Sequence, residues 1–262
     1  ARTEPLRLSF STFSWMTGPV LGVQLYVQFG PWGPQLVAIF ASLVLLSLFW
    51  YLRLSDNVNA LPPGNLESFN ALHNLRRFLG QPRLRLAWVI AFGRSCFWST
   101  FFIYGPLLLV EAGLSKTLGG LMISASQTVL LTAWVSGRFA RRHGVRVVIA
   151  FAFGLCAVAS LAAGVAGTAS PYIAIGCLLL GSVAASALDG VGGIPFLRAV
   201  RHRERQQMAA VYRTYIDCSE LIPGFVFAIA LLYLPIGMVF VILAAALAIV
   251  GAVAWRYLPK SL

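Results

Sequence analysis

Acidic side chains are scarce in this sequence. Its 262 residues hold 8 Asp and Glu against 20 Lys and Arg, and charged residues make up only 11%. A soluble domain carries about 25%. So little charge excludes a soluble globule, and equally a disordered chain, which needs low hydrophobicity and high charge. Cysteine is also sparse. Cys96, Cys156, Cys177 and Cys218 all sit inside apolar runs, and none belongs to a CxxC pair. That excludes a disulfide scaffold or a zinc framework; the four read as small buried hydrophobes. His73, His143 and His202 have no metal-ligand spacing. There is no GxSxG, no HExxH and no Gly-rich phosphate loop, so the common hydrolase and nucleotide signatures are missing. The formal net charge of +12 comes without an RNA-binding aromatic motif, zinc-finger spacing or a basic helix with a dimerisation seam. Nucleic acid is therefore not the expected partner.

What is abundant is apolar surface. Hydrophobic residues make up 59% and the mean hydropathy is +0.81. Only lipid accommodates so much of it, so the composition predicts an all-α, polytopic membrane bundle. A helix needs about 20 apolar residues to cross the hydrocarbon. Eight stretches qualify: 10–29, 34–52, 84–110, 117–137, 147–167, 170–197, 208–234 and 237–257.

The basic residues fix the expected orientation. Seventeen of the 20 fall on the side that holds the first residues; Lys116 alone lies on the other side, and Arg94 and Arg213 lie inside spans. The positive-inside rule makes the basic side cytoplasmic. Both termini are expected there, in a multi-pass protein of a bacterial inner membrane. The outer connections FGPWGP, EAGLSK, GTAS and YLPIG are short and leave no room for an external domain. The one long connection is cytoplasmic. Within it Leu66, Phe69, Leu72, Leu75, Phe78 and Leu79 recur near helical spacing, ahead of and around Arg76 and Arg77. This predicts an amphipathic helix on the inner surface, packed on the bundle as a tether.

An internal repeat is visible. The first span carries SWMTGPVLG and the seventh SELIPGFVF, so that Pro19 and Pro223 stand 204 residues apart with five spans between them. Each is followed by a short Pro/Gly turn and a plain apolar helix. A six-span unit of this kind is a feature of transporter folds.

Four features resemble the major facilitator superfamily of secondary transporters. GRFARRHGVR (Gly137 to Arg146) is similar to that family's cytoplasmic loop signature G-x-x-x-D-R-x-G-R-R. Gly137, Arg142, Gly144 and Arg146 fit, and Arg141 stands in place of the acid. TGPVLG, with Gly18, Pro19 and Gly22, resembles the Gly-Pro motif of the fifth helix. The long loop after two spans resembles the connection between two six-helix halves. RAVRHRERQQM resembles the basic loop before the eleventh helix. The resemblance implies a division into 1–53 (last two helices of the first half), 54–83 (inter-half loop) and 84–262 (six-helix second half). It implies that the first four helices are absent. The opening ARTEPLR, without methionine or signal peptide, likewise reads as the middle of a loop in a longer protein. Such a piece is not expected to transport alone. Further implications are alternating access, a small organic solute, a coupling ion (a proton in preference to sodium), a monomer when full-length, and no cofactor.

Ionisable groups inside spans are costly and so point to function. At about 1.5 Å per residue, Arg94 lies ~12 Å in from Leu86, Asp189 ~12 Å in from Leu197, Asp217 ~13 Å in from Met208 and Glu220 ~18 Å. Arg213, Asp217 and Glu220 are spaced four and three apart, which places them on one helix face. That stripe is expected to point into the bundle. Asp217 or Glu220 would take up and release a proton, while Arg94 or Arg213 binds solute or sets proton affinity. The competing reading is a fixed ion network bracing two helices. Asp189, among Gly190, Gly192, Gly193 and Pro195, is expected to pair with the basic loop that follows. The aromatic run Phe97, Trp98, Phe101, Phe102 and Tyr104 reads as core. A membrane-embedded transferase would need a cluster of acids at one membrane face, and a scaffold or sensor would need docking loops. An enzyme is not expected.

Overall fold

The computed structural model describes residues 3–52, 71–129, 133–200 and 204–259. Among them every regular element is helical: α1 (Thr3–Phe29), α2 (Trp32–Tyr51), α3 (Ala71–Leu79), α4 (Pro82–Glu111), α5 (Lys116–Val129), α6 (Ala133–His143), α7 (Val145–Ala166), α8 (Pro171–Val191), α9 (Ile194–Ala199), α10 (Arg205–Leu231) and α11 (Gly237–Tyr257). The all-α polytopic bundle predicted from composition is what forms. Among the described residues six stretches are long and apolar enough to cross a membrane: Trp32–Tyr51, Pro82–Glu111, Val145–Ala166, Pro171–Ala199, Gln207–Leu231 and Gly237–Tyr257. The remaining two expected spans fall in α1, and across α5 and α6 with 130–132 outside the described residues.

Two boundaries differ from expectation, and a third falls partly outside the described residues. The expected span 170–197 is interrupted, because α8 ends at Val191 and α9 restarts at Ile194. Gly192 and Gly193 are poor helix formers, and Pro195 at the start of α9 cannot donate back into α8. The motif Gly137 to Arg146 is not a loop. Residues up to His143 continue α6, and Val145 already begins α7. A single residue, Gly144 at φ +88°, makes the break, in a region of backbone space where side chains are strained. The amphipathic helix is described only from Ala71, so Leu66 and Phe69 lie outside the described residues.

The core lies among α4, α7, α8 and α11. Phe97 and Phe101 of α4, Phe153 of α7, Leu178 and Leu188 of α8, and Phe240 and Leu243 of α11 are fully or almost fully buried in one cluster. Glycine brings α7 and α11 into backbone contact: a Cβ on Gly164 would lie 2.7 Å from the Gly237 carbonyl oxygen. This is the small-residue packing of membrane helices, where close approach replaces the hydrophobic effect. A second cluster closes the end of the bundle where α4 begins. There Phe78 of α3 is buried with Leu84, Ala87, Phe196, Val200 and Met208. Arg77 also pairs with Glu204 at 2.7 Å. The described part of the amphipathic helix thus packs on the bundle.

The first two helices attach differently. α2 buries only Gly33. α1 lies along α5, where a Cβ on Gly120 would meet the Pro19 carbonyl oxygen at 3.2 Å. On the neighbouring position, a Cβ on Gly119 would meet Pro106 of α4 at 2.9 Å. The Gly119–Gly120 pair therefore seats α5 between two proline-bearing helices. Nothing described lies within 4 Å of a Cβ on Gly18 or Gly22, so those two glycines do not mediate the contact.

Candidate functional site

The site grows from one face of α4. Arg94 and Trp98 are one turn apart and project the same way. Across from them stands Asp189 in the last turn of α8, and the two α4 side chains divide its carboxylate between them. Arg94 Nη1 lies 3.0 Å from Asp189 Oδ1, and Trp98 Nε1 donates to Oδ2 at 3.0 Å. The other arm of the guanidinium, Nη2, donates to the Tyr215 hydroxyl of α10 at 3.0 Å. The guanidinium carbon stands 5.6 Å from the Tyr215 ring centroid. Three helices meet at one arginine.

Around this centre the polar groups continue. The Ser95 and Ser219 hydroxyls are 2.8 Å apart, joining α4 to α10 one step deeper. Trp88 Nε1 donates to Thr214 Oγ1 at 3.1 Å. Tyr212 packs edge-on against Tyr215 and stacks on Phe196 of α9 at 4.1 Å. Aromatic rings extend the other way: Trp98 stacks on Phe102 at 5.4 Å, and Phe102 on Trp15 of α1 at 6.2 Å.

The centre is covered but not sealed. The side chains of Arg94 and Asp189 keep 18% and 26% of their accessibility. Arg94 Nε is buried without a hydrogen-bond partner. An unmatched guanidinium N–H is costly to bury. The site therefore holds one spare donor beside an ion pair that solvent can reach.

Asp189 thus pairs with Arg94, while residues 201–203 of the basic loop expected to receive it lie outside the described residues. The spacing argument placed Asp189 near that loop along the chain, but the side chain turns inward toward α4. The Arg213, Asp217 and Glu220 stripe forms on α10 as the spacing requires. It does not turn into the bundle. All three side chains are exposed, on a face that no other described helix covers. α10 instead turns Val211, Ser219 and Phe227 into the bundle. The structure therefore brings Arg94 and Asp189 together and leaves the stripe apart from them.

Residues 6–217 match the Major Facilitator Superfamily. The chain belongs to this superfamily. Comparison with the curated proteins finds no match. Membership makes the chain a transporter of the facilitator type in a lipid bilayer, acting on small molecules, and points away from an enzyme.

The facilitator loop motif holds its residues in an unexpected setting. Gly137, Arg141 and Arg142 are helical, and the two arginines are exposed on α6. Arg146, in the first turn of α7, reaches across to α11, its guanidinium carbon 4.7 Å from the Trp255 ring centroid. In this chain the last arginine of the motif is held by an aromatic ring, a cation–π contact worth about 0.5–1 kcal/mol where exposed and more where desolvated. Two features escaped the sequence reading. Trp98 was grouped with core aromatics, although its place one turn after an intramembrane arginine marks it as a second donor to the same acid. The Gly119–Gly120 pair, which seats α5 against Pro106 and Pro19, was not singled out.

Proposed function

We propose that this facilitator moves a small organic solute by alternating access, coupled to a proton, and that Arg94 and Asp189 form the coupling pair. The observation that carries the reading is one carboxylate shared by an arginine and an indole N–H in the middle of three helices, still open to solvent. Protonating Asp189 would remove the charge that holds Arg94. The released guanidinium, with its unmatched Nε, would then be free to meet an anionic or hydrogen-bond-accepting group of the solute. Proton and solute would compete for one arginine, and such competition is a differential affinity of the kind that alternating access requires. Under the same proposal, residues 1–53 and 84–262 belong to the two halves that rock against each other. Residues 54–83 join them on the cytoplasmic side, where the basic residues also place both ends of the chain.

The test is solute-induced proton flux in proteoliposomes of the transport-competent protein, with Asp189→Asn, Asp217→Asn and Glu220→Gln side by side. Flux lost in Asp189→Asn and retained in the other two supports the pair. Flux unchanged in Asp189→Asn returns the pair to the role of a helix brace. Flux lost only in Asp217→Asn or Glu220→Gln moves coupling to the exposed face of α10.

A further inference from the structure

The first turn of α4 contains no acid and two arginines, Arg83 and Arg85. Cations at a helix N-terminus oppose the helix dipole. Neither has a carboxylate partner among the described residues. The described acid at this corner, Glu204, is taken by Arg77. Both arginines are exposed. They also line one groove of about 480 Å³ between α4 and α11, with Leu86, Val89, Val253 and Tyr257. Leu86 and Val89 follow the arginines inward along α4. Val253 lies one turn inward from Tyr257 on α11, which ends where α4 begins. The groove is therefore cationic at its membrane-surface end and apolar along its depth. Two flanking grooves hold only one of the arginines each: Arg85 toward α3, and Arg83 toward α9. The Arg94 centre faces α8 and α10, so this groove is a separate place on α4.

We infer that the α4–α11 groove binds an anionic phospholipid, its phosphate held by Arg83 and Arg85 and one acyl chain laid along Leu86, Val89 and Val253. Charge complementarity selects the head, and the apolar walls select a molecule that carries a chain. The bound anion also relieves the two uncompensated charges at the helix start. This assignment does not depend on the coupling proposal.

The experiment places the whole chain in phosphatidylcholine nanodiscs and titrates phosphatidylglycerol, reading lipid retention by native mass spectrometry. Glycerophosphate, the head without chains, is the parallel arm. Near an anionic membrane each basic residue contributes roughly fivefold in affinity, so Arg83→Gln with Arg85→Gln is expected to weaken phosphatidylglycerol retention about 30-fold. Arg83→Lys with Arg85→Lys keeps the charge and is expected to retain most of it, which separates lipid loss from misfolding. Val89→Trp, which fills the groove and spares the arginines, is expected to weaken retention as well. Phosphatidylglycerol retained undiminished in the double Gln variant overturns the assignment, as does retention undiminished in Val89→Trp. Glycerophosphate held as firmly as the lipid reduces the site to one for free phosphate and overturns it too.

Discussion

Removing either member of the Arg94–Asp189 pair should cost stability, and removing both should cost little more than removing one. The structure sets the size. Asp189 accepts two bonds at 3.0 Å, one from a guanidinium and one from an indole. Hydrogen bonds to charged groups are worth about 1.5–3 kcal/mol each. Breaking a fully buried ion pair costs about 3–5 kcal/mol. With 18% and 26% of the side chains still accessible, water recovers part of that loss, so each single change should fall near ~2–3 kcal/mol. Asp189→Asn leaves Arg94 as an unpaired cation whose Nε is already unmatched. Arg94→Gln leaves Asp189 with Trp98 alone, and Tyr215 without its donor. The double change, Arg94→Gln with Asp189→Asn, puts two neutral amides where two charges stood, and they can still bond. Its cost should fall short of the sum of the singles by about 1.5–2.5 kcal/mol. Reversible unfolding in mixed micelles, titrated with a denaturing detergent across the four proteins, measures that coupling. Independent sites add to within about 0.3–0.5 kcal/mol. A coupling inside that margin would refute the idea that the pair acts as a unit.

Two further outcomes follow from glycine geometry. Gly120→Val puts a side chain where only 3.2 Å separates a Cβ from the Pro19 carbonyl oxygen, so it should destabilise the α1–α5 contact by about 1–3 kcal/mol. Gly22→Ala, with nothing described within 4 Å, should be neutral or stabilising by up to about 1 kcal/mol. Cysteine crosslinking between α1 and α5, together with the same unfolding titration, checks both. Gly144→Ala forces a side chain onto a backbone at φ +88° and should cost about 1–3 kcal/mol, read as a lowered midpoint in the same titration with helical content retained.

Hydropathy located most helices because a span must be apolar all along its length, and that is a local property. What hydropathy does not carry is the rotation of each helix about its axis. Arg213, Asp217 and Glu220 do share a face, as 3.6-residue periodicity demands. Which neighbour that face meets depends on where α4 packs, and α4 packs on the face of Val211, Ser219 and Phe227. Asp189 and Arg94 stand 95 positions apart, and Arg94 and Tyr215 121. No local pattern joins them. The end of α6 was misread for a different reason. The basic motif Arg138 to Arg146 was taken as loop because it is polar, yet arginine is a good helix former and the break needs only one residue.

The α1 contact and the ion pair are linked by side chains that touch. α1 meets α5 where the Val23 side chain and the Pro19 carbonyl lie against Gly120. The α7–α11 seam, by contrast, is flanked by the buried Phe153, Phe240 and Leu243. Above that contact Trp15 of α1 stacks on Phe102, Phe102 stacks on Trp98, and Trp98 holds one oxygen of Asp189. Any displacement of α1 relative to α4 must disturb the Trp15–Phe102 stack first. Spatial continuity alone is a weak warrant for coupling. The stronger one is that Asp189 accepts from Arg94 and Trp98, and the aromatic series ends on one of these two donors. Under the proposed mechanism, a shift of α1 that moves Trp98 leaves the carboxylate wholly dependent on Arg94. That is the exchange a proton or a solute would have to complete.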